Sequence, residues 1–311
     1  MDLGMIGLGK MGGYMTERLV KGGHRVVGYD RDAVIVKGVV AQGGVGADSL
    51  ESLVKQLPAP RAMWLMVPHE VVDPLIESLL KLLSPGDTII DGGNSFYKES
   101  IRRAAYLAPK KIHFVDVGTS GGVWGLKEGY SMMIGGADEA VDRLTPIFET
   151  LAPAADLGWG HTGPAGAGHY VKMVHNGIEY AMMQAYAEGL DLLRHKKDFS
   201  TGKDFNIDLE QVSQIWRTGS VIRSWLLDLI ADGLKSNPTL DGISAVVADT
   251  GEGRWTAIEG IELGVPLATI SAALDRRMLS QDPDPFANKL LSMMRHQFGG
   301  HAANAPAAKS K

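Results

Sequence analysis

One stretch of the sequence gathers the side chains that could do chemistry. It runs Gly163-Pro-Ala-Gly-Ala-Gly-His-Tyr-Val-Lys-Met-Val-His-Asn-Gly-Ile-Glu-Tyr180, opening on glycines and continuing free of proline from Pro164 to Pro238. At about 100° per residue, Lys172, His175, Asn176, Glu179 and Tyr180 fall on one side of a helix. Val171, Val174, Ile178 and Met182 lie mostly elsewhere around it. An amine, an imidazole, an amide and a carboxyl group thus share a surface, and three of these are proton carriers in general acid–base chemistry. Lys172 and Glu179 stand two turns apart, about 10 Å at ~1.5 Å per residue, so both can lean on a small molecule held between them. A lone Lys/Glu face is ordinarily solvated and holds itself by a few tenths of a kcal/mol of charge pairing. The surrounding sequence points elsewhere.

The first half of the chain reads as a dinucleotide site. Leu3 to Leu8 is a buried strand, followed by Gly7-Leu8-Gly9-Lys10-Met11-Gly12 and a helix-like run to about Gly22. A G-x-G-x-x-G is a weak signal alone, but here it closes a strand and opens a helix. Its glycines permit a tight turn and close approach of backbone to a pyrophosphate at the helix N-terminus. A second strand, His24 to Tyr29, ends in Asp30, which can bond the adenosine ribose and repel a 2′-phosphate. Arg31 can stack on adenine or accept a 2′-phosphate, so NAD is the expected cofactor and NADP the alternative.

Further strands are expected at Ala62 to Val67, Thr88 to Asp91 and His113 to Val117, with helices between them, most clearly Ser49 to Gln56 and Val71 to Leu83. That alternation predicts a Rossmann-type, doubly wound, mostly parallel α/β sheet. Ligands bind beyond the carboxyl ends of such strands. Three clusters lie there: Val67-Pro68-His69, Asp91-Gly-Gly-Asn94-Ser95, and Asp116-Val-Gly-Thr-Ser120-Gly121-Gly122. Any one of them reads as a turn, whereas three at one sheet edge favour a site. His69 is read as structural or surface.

From Gly168 onward the strand pattern stops. Helices are expected at Leu209 to Arg217, Val221 to Leu234, Ala257 to Gly264, Pro266 to Leu279 and Phe286 to Phe298. The expected organisation is a dinucleotide-binding domain over 1–163, an all-α substrate-binding and dimerisation domain over 164–301, and a flexible tail over 302–311. Trp216, Trp225, Met182 and Met183 read as core. Two domains suit 311 residues, and 45% hydrophobic with 22% charged residues is ordinary soluble composition. A net charge of −5 without a basic stripe argues against nucleic acid. No run approaches the ~18 apolar residues of a membrane span. The absence of cysteine excludes disulfides, thiolate metal sites and thiol catalysis, and fits a cytoplasmic location.

Taken together, Gly7-x-Gly9-x-x-Gly12, Asp91-Gly-Gly-Asn94, Ser120-Gly-Gly122 and Gly166-x-Gly-x-x-x-Lys172-x-x-x-Asn176 resemble the β-hydroxyacid dehydrogenases. Lys172 to Tyr180, Gly253-Arg-Trp-Thr256 and Arg295 to His301 narrow the resemblance to the decarboxylating 6-phosphogluconate dehydrogenases, of a compact bacterial type, over residues 1–301. The resemblance implies that Lys172 is the general base and Glu179 the acid. It implies that Asn94, Ser120, Gly121, Gly122, His175 and Asn176 hold the sugar acid, with Tyr180 and Arg277 on its phosphate. Gly7 to Gly12, Asp30, Arg31, Val67, Pro68 and Asn94 would hold the cofactor. Arg295 and His301 would reach a neighbouring subunit's site, which implies a homodimer or homotetramer. No metal is implied.

Two departures stand out. Longer members carry a lysine and a threonine before Trp255, where this chain has Thr250 and Glu252. A carboxylate beside a phosphate is repulsive, so either Arg254 takes over that contact or Glu252 points away. The family also often ends its second strand with a neutral residue before the arginine, as suits NADP, and Asp30 argues the other way.

The implied reaction passes the C3 hydroxyl proton of 6-phosphogluconate to Lys172 as hydride passes from C3 to nicotinamide. Carbon dioxide is then lost, and Glu179 protonates C1 of ribulose 5-phosphate. A lysine of ordinary pKa ~10.4 serves as a base only if burial or a nearby cation lowers it. Two rivals are a β-hydroxyacid dehydrogenase for a small acid such as 3-hydroxyisobutyrate and a non-catalytic dinucleotide sensor. The first needs neither Glu179-Tyr180 nor the arginine–histidine tail, and the second needs no Lys, Asn and Glu on one face.

Overall fold

The computed structural model describes residues 1–299. His301 and the segment 302–311 lie outside the described residues. Six strands form a parallel array in the order β3-β2-β1-β4-β5-β6. They are β1 (Asp2–Ile6), β2 (Arg25–Tyr29), β3 (Val45–Gly46), β4 (Ala62–Leu65), β5 (Thr88–Asp91) and β6 (His113–Ser120). Two more extend the sheet: β7 (Ser131–Gly136) runs antiparallel to β6, and β8 (Trp159–Gly163) runs parallel to β7. The reversal follows from the short connection over 121–130, since a parallel return needs a crossover of a dozen or more residues.

Helices α1 (Lys10–Lys21), α2 (Ala33–Ala41), α3 (Leu50–Lys55), α4 (His69–Leu79), α5 (Tyr97–Leu107), α6 (Gly125–Glu128) and α7 (Asp138–Leu151) connect these strands. The alternation of side chains along each strand feeds two cores. Leu3, Met5, Trp64, Ile90, Val115 and Val117 pack with Met15, Leu19, Leu144 and Phe148 of α1 and α7. Ile6, Met63, Leu65, Ile89 and Phe114 point the other way, onto Leu53, Val72, Ile76 and Leu107 of α3, α4 and α5. Each such side chain contributes about 1.5–3 kcal/mol on burial, so both faces must be covered. The doubly wound, mostly parallel sheet is as expected.

The structure also departs from expectation. Strand β6 runs on to Ser120, three residues past its expected end at Val117. Three strands escape the sequence pattern: β3 has two residues, and β7 and β8 are glycine-bearing segments (SMMIGG and WGHTG) with little apolar periodicity. His69 opens α4 rather than lying in a loop, and it is exposed.

By its internal contacts the chain divides into two units, Met1–Asn176 and Gly177–Lys311. The division falls within the long helix α8 (Ala167–Arg194). Beyond it come α9 (Leu209–Trp216), α10 (Trp225–Ser236), α11 (Glu252–Leu263), α12 (Ala268–Gln281) and α13 (Phe286–Gly299), with no strand among the described residues. Helix α10 begins later than expected because Ser224 caps it, its hydroxyl accepting from the Leu227 amide at 3.2 Å. The core reading of four residues is corrected: Met182, Met183 and Trp225 are exposed and Trp216 is half-buried. Single copies of these helices leave broad apolar faces uncovered. No helix among the described residues is long and apolar enough to cross a membrane.

Candidate active site

The glycines between β1 and α1 serve two purposes. Gly7 has φ +89°, and a Cβ on Gly12 would lie 2.0 Å from the Gly7 carbonyl oxygen, so these two let the turn close on itself. A Cβ on Gly9 would meet nothing within 4 Å. That open space lies before the first turn of α1, which has no side-chain cap and no acid. The first amides of α1 are therefore available to an anion, and the space suits a pyrophosphate. Leu8 is buried, Met11 is half-buried, and Lys10 is exposed at the start of α1.

At the end of β2, Asp30 accepts from the Leu8 amide at 2.8 Å through Oδ2 and from the Asp32 amide at 3.0 Å through Oδ1. Its carboxylate thus fixes the glycine turn from the neighbouring strand. Asp30 and Arg31, with Tyr29, Ala47, Asp48 and Ser52, line a cavity of about 410 Å³. That volume suits the adenosine half of a dinucleotide. A second carboxylate, Asp48, joins Asp30 there; its place in the cavity was not visible from the sequence.

Beyond β4 and β5 the two loops approach closely. Val67 is half-buried and Pro68 is exposed before α4. A Cβ on Gly93 would lie 2.7 Å from the Val67 carbonyl oxygen. Asp91 is fully buried and takes the Ser95 hydroxyl at 2.7 Å and the Gly93 amide at 3.2 Å. Arg103 of α5 balances that charge at 3.1 Å. Ser95 is consequently a brace of the loop, and Asn94 is its exposed tip. At the end of β6, Gly121 (φ +129°) and Gly122 (φ +51°) turn the chain after Ser120 in conformations that favour glycine.

Helix α8 starts against β6 and β7. Lys172 is buried, only 7% exposed, and its Nζ donates to Asn176 Oδ1 at 2.5 Å. His175 Nδ1 lies 2.9 Å from the same oxygen and 3.4 Å from Lys172 Nζ. The amine, the amide and the imidazole expected on one face are therefore in mutual contact. Glu179 is half-buried on the following turns of the same helix.

In the second unit, Tyr180 is 4% exposed and the guanidinium of Arg277 stacks on its ring at 3.4 Å. Arg277 also donates to the Ala248 carbonyl at 2.7 Å. The Tyr180 hydroxyl meets Thr250 Oγ1 at 3.1 Å, just before α11. Glu252 is buried in the first turn of α11, and the exposed Arg254 pairs with Asp249 at 2.5 Å. The Glu252 carboxyl is thus withdrawn from solvent, and the Arg254 guanidinium is held by Asp249. Arg295 is exposed on α13, none of whose residues is buried.

Sequence reasoning assigned no role to Asp116, Arg103 or Thr250. Acids on two adjacent strands, Asp91 at the end of β5 and Asp116 within β6, were the available signal. Their partners could not be read from spacing.

Residues 2–160 match the family model described as the NAD binding domain of 6-phosphogluconate dehydrogenase, and residues 168–203 match its C-terminal domain. The NAD(+)-dependent, decarboxylating 6-phosphogluconate dehydrogenase of Haloferax volcanii is 41% identical over 303 residues, covering 97% of this chain and 98% of that protein. Among solved structures, Plasmodium falciparum 6-phosphogluconate dehydrogenase superposes with a TM-score of 0.81 at 29% identity, over 100% of this chain and 67% of that one. Mycobacterium tuberculosis 3-hydroxyisobutyrate dehydrogenase shares the fold more distantly, with a TM-score of 0.72 at 22% identity over 90% and 94% of the two chains. With a glycine turn shaped for a dinucleotide, a buried Lys172 on Asn176, and these matches along nearly its whole length, the chain belongs to the 6-phosphogluconate dehydrogenase family.

Proposed function

We propose that this chain converts 6-phospho-D-gluconate to D-ribulose 5-phosphate and carbon dioxide with reduction of NAD. The observation that carries the reading is the burial of Lys172 in contact with Asn176 and His175, because burial disfavours the charged form of an amine and so suits it to act as a base. The bound dinucleotide supplies the acceptor for the C3 hydride. Neutral Lys172 takes the C3 hydroxyl proton and then, as an ammonium, polarises the C3 carbonyl so that carbon dioxide leaves the adjacent carbon. The electron pair remains in an enediol. Glu179 gives its proton to C1 while Lys172 recovers the one on O3, so one proton passes from Glu179 to Lys172 in each turnover.

Asn94, Ser120, Gly121, Gly122, His175 and Asn176 hold the sugar acid in this reading, and Tyr180 with Arg277 receives the phosphate. The cofactor sits on Gly7 to Gly12, Asp30, Arg31, Val67, Pro68 and Asn94. Residues 1–163 form the dinucleotide domain and 164–301 the substrate and dimerisation domain. A second copy covers the exposed apolar side chains of α13, among them Phe286, Leu291 and Phe298, and Arg295 and His301 then reach that copy's site. The enzyme works in the cytoplasm. Incubation with 6-phosphogluconate and NAD should release NADH and carbon dioxide in equal amounts, and 3-hydroxyisobutyrate should give neither. NADH without carbon dioxide, or turnover of the small acid alone, defeats the proposal.

A further inference from the structure

Asp116 ends no surface turn. Its carboxylate is fully buried and points at the start of α8, where Oδ1 accepts from the Gly166 amide at 2.6 Å and Oδ2 from the His169 amide at 2.8 Å. Both amides belong to the group that a helix leaves without an internal partner. The negative charge also sits where the helix dipole favours it. A side chain of β6 therefore caps a helix some fifty residues further along the chain.

The contact around this cap is backbone against backbone. A Cβ on Gly118 would lie 2.3 Å from the Lys172 Cβ and 2.7 Å from the Gly168 carbonyl oxygen. One on Gly168 would lie 2.5 Å from the carbonyl oxygens of both Asp116 and Met133, and one on Gly135 would lie 2.7 Å from the Gly168 amide nitrogen. Three glycines on β6, β7 and α8 thus remove the side chains that would hold helix and sheet apart. His169 adds a third anchor: its ring is buried, and Nδ1 lies 2.7 Å from the Ser100 hydroxyl of α5.

We infer that Asp116 is a positioning residue which, with Gly118, fixes the depth and rotation of α8 on the sheet and thereby the place of Lys172. Lys172 lies one turn beyond the capped His169 amide, so any lift of the helix start moves its amine directly. The inference rests on Lys172 being the proton acceptor. Asp116→Asn keeps the shape but offers one acceptor oxygen for two amides. Gly118→Ala leaves every charge intact and pushes the helix outward, because the atoms its methyl would meet include backbone.

The test measures kcat per dinucleotide-binding site for both variants, with the deuterium isotope effect from substrate labelled at C3. Each variant that binds NADH normally should lose about 10–100-fold in kcat, as a displacement of order 1 Å does. Its isotope effect should rise above the parent's, because the oxidation step is the one slowed. Loss of folded protein alone lowers the number of sites and leaves the isotope effect unchanged. The inference fails if a variant with normal NADH binding turns over within about two-fold of the parent, or if its isotope effect is unaltered. It also fails if both variants lose NADH binding in step with activity. Lys172→Met separates the two claims: near-normal turnover there removes the assignment beneath, whereas lost turnover with unaffected Asp116 and Gly118 variants removes this inference alone.

Discussion

Asp91 and Asp116 are register partners at the same level of parallel β5 and β6, and both carboxylates are fully buried. Each is balanced differently. Asp91 has Arg103 at 3.1 Å and the Ser95 hydroxyl, while Asp116 has the amides that open α8. Two acids side by side in a sheet interior persist only because both compensations are present. One then shapes the loop ending in Asn94, and the other anchors the helix of Lys172.

Arg103→Ala strands the Asp91 charge and should cost about 3–5 kcal/mol. Arg102→Ala, on the same helix but half-exposed, should cost about 1 kcal/mol or less. Urea unfolding of the two variants checks this, and equal costs would show that Asp91 is compensated by something else.

Lys172→Met should retain NAD affinity and lose about 10²–10⁴-fold in kcat. Dinucleotide titration followed by steady-state kinetics gives both quantities. A fall in affinity equal to the fall in kcat would point to a damaged fold rather than a missing base.

Glu179→Gln should act late in the reaction. Exchange of the C1 hydrogen of ribulose 5-phosphate with solvent deuterium, followed by NMR with NADH present, should slow by about 10²–10⁴-fold. Unchanged exchange would assign the C1 proton to another group.

Asp30→Ala removes the charge that repels a 2′-phosphate and leaves Arg31 beside the cavity. The ratio of kcat/KM for NADP over NAD should rise by about ten-fold or more. Part of the change will be lost NAD activity, because the bond to the Leu8 amide goes too. A constant ratio would move cofactor choice to Asp48 or Arg31.

Tyr130 is buried, and its hydroxyl has no hydrogen-bond partner among the described residues. Burial pushes its pKa up to about 12. Its folded value exceeds the unfolded ~10, so its contribution to stability is whole below pH 10 and is lost as pH rises through 12. Tyr130→Phe should hold stability at pH 8 or raise it by about 1 kcal/mol, and should weaken the alkaline loss between pH 10 and 12. A variant less stable at pH 8 would reveal a partner for the hydroxyl.

Legibility in the sequence followed the range of the interactions. The turn Gly7 to Gly12 and the shared face of Lys172, His175 and Asn176 were readable because their geometry is set within one or two turns of chain. Strands β7 and β8 were not, because Gly135, Gly136, Gly160 and Gly163 break their apolar pattern, and Gly135 serves a contact with α8 instead. Asp116 reads as part of a ligand cluster at the sheet edge, and its role as a cap is hidden because its partners, Gly166 and His169, are backbone amides distant in sequence. Met182, Met183 and Trp225 looked like core because helical spacing records an apolar face without saying which molecule covers it.

The glycine seat beneath α8 has an implication for redesign. Side chains of α8 other than His169, His175 and Asn176 can be exchanged without altering where the amine of Lys172 stands, because the close approach at Gly118 and the Asp116 cap set that height. Libraries built on the rest of the helix surface would vary the face proposed to hold substrate, and a methyl group at 118, 135 or 168 would vary the reach of the Lys172 amine. Substrate range and reaction geometry are thus addressable at separate positions in one fold.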